Sequence, residues 1–454
     1  MTGGPSIAAT MAAEILSLQP DTVPDAVLDK AALCLMDYLA AAYEARDLPW
    51  SRQARFRHRA ADQGAASIGL GRLSAPQDAA FANAVAAHGL VREDMHVGSV
   101  AHLGVVVWPA LLADLAQLGR PAAGRRLLAA AVVGYEAGAV LGTSLMTAEL
   151  ARLFRPTGLI GPFAAVAALC HLRGLTAGQT TSALSLAVNC AAGLNQWPAS
   201  GGSDMYFHAG FAARNALVCA DLAESGAFAT REIIEGEAGL FRAFARQEPR
   251  RVPPLFAGGF EMMKVFHKQA PACNFAQTPS QAALAARLKV PGTSGKVAAV
   301  HIEATRAALL YPGCDATGPF GNMLAAKMSI QFGVAAAVAR GSIGAGNYAD
   351  LEDPEIARLI ASTTLAENPE LTAAYPQRQP AAVTLVLQDG TRIREALDDV
   401  IAAPAAMVRG RFEAAAAEAL GQARAADLTA FIDALAGSAD ALPLNALQLP
   451  RIQH

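Results

Sequence analysis

From Ala8 to about Phe244 almost every stretch of this chain carries apolar side chains at helical spacing, and the breaks between stretches fall at glycine or proline. That pattern commits the first half of the chain to helices packed on helices. The expected helices include residues 27–42, 79–88, 110–118, 125–145, 160–171, 176–191 and 211–226. One of them is crowded with Ala131, Gly134, Ala137, Gly138 and Ala139, so its neighbours must approach closely. Residues 127–146 approach the length that spans a bilayer, with Glu136 as their one charge. Their alanine and glycine content and their equally apolar neighbours read instead as a buried core helix.

The texture changes after Pro249. Residues 296–304 alternate apolar and polar side chains, as a half-buried strand does. Residues 381–388, then Asp389 and Gly390, then 391–394 read as a hairpin, because Asp-Gly between two strand-like runs is a strong turn signal. Helices are expected around them at 280–288, 325–340 and 354–365, which makes an α+β unit of about 130 residues. Alanine-rich helix returns at 407–435. The expected fold is therefore mostly α with a smaller α+β domain. A large all-helical domain takes residues 1–265, an inserted α/β lid takes 266–400, and 401–454 return to the helical domain. A chain of 454 residues exceeds the roughly 250–300 at which single cores stop growing, and the cleft between two domains is the default place for a ligand.

A net charge of −3 and the lack of any Lys/Arg-rich block argue for no nucleic acid and no membrane as partner. The six cysteines, Cys34, Cys170, Cys190, Cys219, Cys273 and Cys314, are widely spaced and form no C-x-x-C. That suits a reducing compartment and argues against a zinc site or a disulfide framework. No basic region precedes an apolar core at the start, so a cytoplasmic protein is expected. No nucleophile elbow, dinucleotide fingerprint or phosphate-binding loop is found.

Chemistry-bearing residues concentrate in one place. His88, Arg92, Glu93, Asp94, His96 and His102 put three imidazoles, two carboxylates and a guanidinium into fifteen residues of a chain that is only 17% charged. Apolar helical runs flank them, so they read as a loop between two buried helices, where a rigid scaffold places its chemistry. The other reading is a cap, whose polar groups satisfy one another and the free amides from Val105 onward. Asp94, His96 and His102 lack a regular ligand spacing, and no metal is expected.

Several short motifs follow one another along the chain: Leu35-Met36-Asp37-Tyr38, the 88–109 loop, Gly134-Tyr135-Glu136, Gly158 to Phe163, Ser182-Ala183-Leu184, Phe207-His208-Ala209-Gly210, Lys268-Gln269-Ala270-Pro271 and Ala326-Lys327-Met328-Ser329. In these the chain resembles, over nearly its whole length, the MmgE/PrpD (2-methylcitrate dehydratase) family, which includes cis-aconitate decarboxylase and iminodisuccinate epimerase. The resemblance implies a large helical domain, a smaller α/β lid, a homodimer, and an interdomain site with no cofactor. It also implies a small di- or tricarboxylate substrate that loses or moves a proton next to a carboxylate. Carried over by position, His102 matches the family's loop histidine, Lys268 the lysine that opens the lid, His208 the histidine before the Ala-Gly turn, Asp94 a loop aspartate, and Tyr311 an active-site tyrosine. The chain departs from the pattern at Arg92 and His96, where an Asp and a Thr are expected, and at Arg155 and Met205, which replace a histidine and a lysine.

The residue chemistry fits this class. Histidine titrates near neutrality and serves as a base without adjustment. Arginine clamps a carboxylate with a planar fork. The expected catalytic residues are His102, Lys268, Asp94, His96 and His208, and the expected substrate-binding residues are Arg155, Arg92 and Tyr311. Arg92 also reads as half of a surface ion pair, Lys268 as a solvated side chain, and His208 as a helix cap. Three functions remain open. The first is a dehydratase-type lyase working by proton abstraction and β-elimination. The second is an epimerase or isomerase with two bases, for example Lys268 and His102. The third is a catalytically silent carboxylate-binding or scaffold protein.

Overall fold

The structure, a computed structural model, describes residues 4–118 and 121–450. Its first half is built from α1 (Asp25–Glu44), α2 (Pro76–His88), α3 (Gly104–Gln117), α4 (Gly124–Leu145), α5 (Pro156–Arg173) and α6 (Asp204–Glu224), with shorter helices between them. Helix α5 runs through the middle and packs on α3, α4 and α6. Its start is set by Pro156 in the first turn and its end by Gly174, whose φ of 71° is the left-handed cap that glycine adopts without penalty. The small residues of α4 explain its close approach to α5: a Cβ added to Gly138 would lie 2.6 Å from the Cβ of Ala164. Helix α4 is long and apolar enough to cross a membrane, but 89% of its most apolar window is buried inside the protein.

The helical half also holds a three-residue hairpin, β1 (Ala65–Ser67) with β2 (Arg72–Ser74). Strands this short offer too little alternation to be read from sequence.

In the second half, β3 (Val297–Ala304), β4 (Thr363–Glu367), β5 (Ala381–Leu387) and β6 (Arg392–Leu397) form one sheet in the order β4-β3-β5-β6. Strands β3 and β4 are parallel and the other pairs antiparallel. The β5–β6 hairpin turns at Gly390, with φ 85°, while the Asp389 carboxylate accepts the Thr391 amide at 2.9 Å. Helix α7 (Asn274–Arg287) lies on β5, and α8 (Ile330–Arg340) lies on α7. Helix α9 (Ala405–Leu420) returns to pack on α1.

Three helical expectations are corrected. The helix expected over 354–365 stops at Ala361, and Thr363 onward pairs with β3 instead; the β-branched Thr363 and Thr364 favour the strand. The helix expected over 325–340 is cut at Ser329, whose hydroxyl caps α8 by accepting the Phe332 amide at 3.0 Å. The run 407–435 is divided by Gly421, which takes φ 83°.

Candidate active site

Residues 89–103 join α2 to α3 and are pinned from the second half of the chain. Met95 and Phe266 exchange backbone hydrogen bonds of 2.9 and 3.0 Å, which brings Lys268 beneath the loop. Its ammonium donates to the Val91 carbonyl at 2.9 Å, and that of Lys327 donates to the Leu90 carbonyl at 2.9 Å. Val91 and Val100 have φ of 60° and 53°, a left-handed conformation that is strained for a β-branched residue by about 1–3 kcal/mol. Two buried ammonium groups on consecutive carbonyls help to hold the first of these turns.

Glu93 lies at the centre of the loop and is 1% exposed. Its Oε1 is 2.8 Å from His88 Nδ1, 3.5 Å from His102 Nδ1 and 3.9 Å from Lys268 Nζ. None of these contacts has the alignment of a good hydrogen bond, so the carboxylate is held mainly by charge. Burial works to raise its pKa, but Lys268, then His88 and His102, outweigh burial and hold it well below the usual carboxylate range.

His102 donates Nδ1–H to the Asp94 carbonyl at 2.8 Å, and its backbone amide donates to Thr157 Oγ1 at 3.1 Å. This tautomer leaves the Nε2 lone pair free. Burial, joined by the Lys268 charge, pushes the imidazole well below its ordinary value, so it is neutral at pH 7. The Lys268 pKa is also lowered, by burial first, with Glu93 opposing. Lys327 is pushed down to about 8, again by burial.

Arg155 immediately precedes α5 and is 4% exposed. It donates from Nη1 to the Tyr311 hydroxyl at 2.7 Å and from Nη2 to His88 Nε2 at 3.3 Å. Its Nε is buried with no acceptor among the described residues. His102, Arg155 and Tyr311 line a cavity of only about 10 Å³, enclosed by Val91, Val100, Cys273 and Phe275, which is room for a single water. A cavity of about 310 Å³ adjoins it and shares Val100, Phe275 and Tyr311.

The structure thus brings His102, Lys268, Arg155 and Tyr311 into one cluster. His208 stands at its edge in the second turn of α6, with Nδ1 unpartnered among the described residues and its pKa pushed to about 4 by burial and by Arg155. It does not cap the helix. Asp94, His96 and Arg92 point elsewhere. The Asp94 carboxylate accepts the Gly104 amide at 3.1 Å and the Tyr135 hydroxyl, so the capping reading of the loop holds for this residue. His96 binds Ser99 Oγ at 2.9 Å and Glu261 Oε2 at 3.0 Å, on the wall of a separate cavity of about 640 Å³. Arg92 forks onto Glu44 at 2.5 and 2.8 Å.

Glu93, His88 and Lys327 belong to the cluster although the sequence did not single them out as site residues. Their signals were present, two in the polar loop and one in the Ala326-Lys327-Met328-Ser329 motif, but nothing in spacing told which loop side chains turn inward. Lys268, Lys327 and Arg155 together outnumber the single carboxylate of Glu93, and a buried excess of cations attracts anions.

The MmgE/PrpD N-terminal domain matches residues 9–252 and the MmgE/PrpD C-terminal domain matches residues 270–421. The cis-aconitate decarboxylase-like protein oryM of Aspergillus oryzae is 32% identical over 250 residues, 53% of this chain and 51% of that protein. A cis-aconitate decarboxylase of Aspergillus terreus is 24% identical over 405 residues, 84% of this chain and 82% of its own. The cis-aconitate decarboxylase of Homo sapiens is 28% identical over 202 residues, 43% and 41% of the two chains. The match therefore spans about half of the first relative and most of the second.

Proposed function

The chain belongs to the MmgE/PrpD family, and on that premise we propose that it is a lyase acting on a small di- or tricarboxylate by proton abstraction next to a carboxylate. The observation that carries this reading is the buried cluster itself: a neutral imidazole with a free Nε2, an ammonium group and a guanidinium with a spare donor. His102 Nε2 takes the proton. The electron pair moves toward the substrate carboxylate, which Arg155 holds in place and where Lys268 stabilises the charge that develops on oxygen. Collapse of that pair forms the C=C bond and breaks the C–O bond at the β-carbon, and Lys268 gives its proton to the departing hydroxide, which leaves as water. Decarboxylation, the activity named in the relatives, would use the same cations to hold the carboxylates that stay. The cavity at the cluster holds only about 10 Å³, and the adjoining cavity of about 310 Å³, which shares Val100, Phe275 and Tyr311 with it, offers the nearest room for a substrate.

An epimerase is the second reading, supported by His102 and Lys268 as two proton carriers on one carboxylate, Glu93. Incubation in D2O with small β-hydroxy di- and tricarboxylates separates the two. A lyase forms an alkene, whereas an epimerase takes up α-deuterium and forms the stereoisomer without an alkene. A protein that does neither with any of them is not the enzyme described above.

Arg155→Ala is expected to raise KM by about 10–100-fold with a smaller change in kcat, because a charged hydrogen bond to a carboxylate held in ground and transition states alike is worth about 1.5–3 kcal/mol. Steady-state kinetics on the authentic substrate check this, and a loss confined to kcat would take the clamp role away from Arg155.

A homodimer in the cytoplasm goes with this reading. Phe211, Val218 and Leu222 lie on one face of α6 and are 49, 40 and 45% exposed, an apolar stripe suited to a second copy. The six cysteines are all free thiols, as a reducing compartment keeps them.

A further inference from the structure

Glu93 takes no step in the chemistry above, yet its carboxylate is the point at which His88, His102 and Lys268 meet. A buried carboxylate is expensive in solvation unless its charge does something for its neighbours. Resting on the reading of this cluster as a proton-transfer site, we propose that Glu93 is a positioning residue that keeps Lys268 in its ammonium form, as the acid of the pair, and so leaves His102 as the base.

The surroundings of Lys268 carry the argument. Arg155 and Lys327 face it as like charges, and burial works in the same direction; all three favour loss of its proton. The opposing groups are Glu93, then Cys273 and Asp37. Asp37 is engaged by His267, 3.4 Å away, and the Cys273 sulfur lies 3.6 Å from that of Cys314. Among the described residues, Glu93 is the carboxylate within 4 Å of the ammonium, at 3.9 Å. The imidazoles of His88 and His102 also face Glu93, but they are anchored independently. His102 is held by the Asp94 carbonyl at 2.8 Å, and His88 Nε2 accepts from Arg155 at 3.3 Å. Removal of the Glu93 charge therefore acts first on the proton of Lys268, less on the orientation of the rings.

The test is the pH profile of kcat for the wild type, Glu93→Gln and Glu93→Asp. The basic limb marks loss of the Lys268 proton. In Glu93→Gln it should move down by about 1–3 units, the effect of an opposite charge at this range. Glu93→Asp, which keeps the charge but draws it back by one methylene, should place the limb between the two. A purely structural carboxylate would lower kcat and the melting temperature without moving the limb, so an unmoved limb in whichever variant folds overturns the proposal. If neither folds, the side-chain NMR shift of labelled Lys268 in the wild type decides: an ammonium at pH 7 is expected, and a neutral amine overturns it. Lys268→Ala separates this inference from the one beneath it. If that variant keeps full turnover, the site reading falls. If it loses turnover while the Glu93 variants leave the limb in place, only the role of Glu93 falls.

Discussion

Replacement of His102 by alanine is expected to lower kcat by about 10²–10⁴, the usual worth of a positioned proton transfer, with the fold intact. The cluster holds two histidines in contact with Glu93, but only one has a free acceptor nitrogen. His88 Nε2 is occupied by Arg155, whereas His102 spends Nδ1–H on the Asp94 carbonyl and keeps Nε2 for the substrate. The backbone amide of residue 102 still reaches Thr157 after the substitution, so the loop retains one of its ties. The pH dependence has a definite sign. Burial, helped by the charge of Lys268, holds His102 well below the ordinary histidine value of about 6.5. The base is therefore unprotonated throughout the neutral range, and activity should fall only as pH drops below that value, through the lowered pKa. Steady-state rates from pH 4 to 8 with circular dichroism as a control check both statements. A His102→Ala enzyme with wild-type kcat removes the base from the mechanism.

Lys268→Ala should have the larger effect, with turnover reduced beyond about 10³-fold, because the residue acts twice, as charge stabiliser and as proton donor. In a lyase, elimination stops as a whole. In a two-base epimerase, interconversion stops but one-sided deuterium exchange through His102 persists, so the variant tells the two readings apart. Stability should suffer as well. Lys268 is 0% exposed and bridges the Val91 carbonyl and Glu93, and removing one member of a buried charge pair costs about 3–5 kcal/mol. A thermal melt recorded beside the kinetics separates the two losses. A variant that melts like the wild type and turns over normally contradicts both.

The helical half was legible because its helices are long and their apolar spacing is unbroken; α4 and α5 fall within a few residues of where periodicity put them. The β5–β6 hairpin was legible through Asp389 and Gly390, since a turn with φ 85° calls for glycine. Strand β4 was not, because Thr363 to Glu367 follows a helix without a break residue, and its strand character comes from pairing with β3. The site divides in the same way. Sequence located the loop, but adjacent acids in a loop carry no periodicity, so nothing distinguished Glu93, turned into the cluster, from Asp94, turned back to cap α3. Likewise Arg92 and His96 differ from their neighbours only by partners far along the chain, Glu44 and Glu261, which only the folded chain brings near.

Solvent deuterium incorporation tests the central claim most directly. The authentic substrate, incubated in D2O and followed by proton NMR, is predicted to lose its α-proton signal or yield an alkene with wild-type enzyme, and to do so about 10²–10⁴ times more slowly with His102→Ala. Exchange that proceeds equally with both proteins would contradict the claim, because the proton would then be taken by a group other than His102.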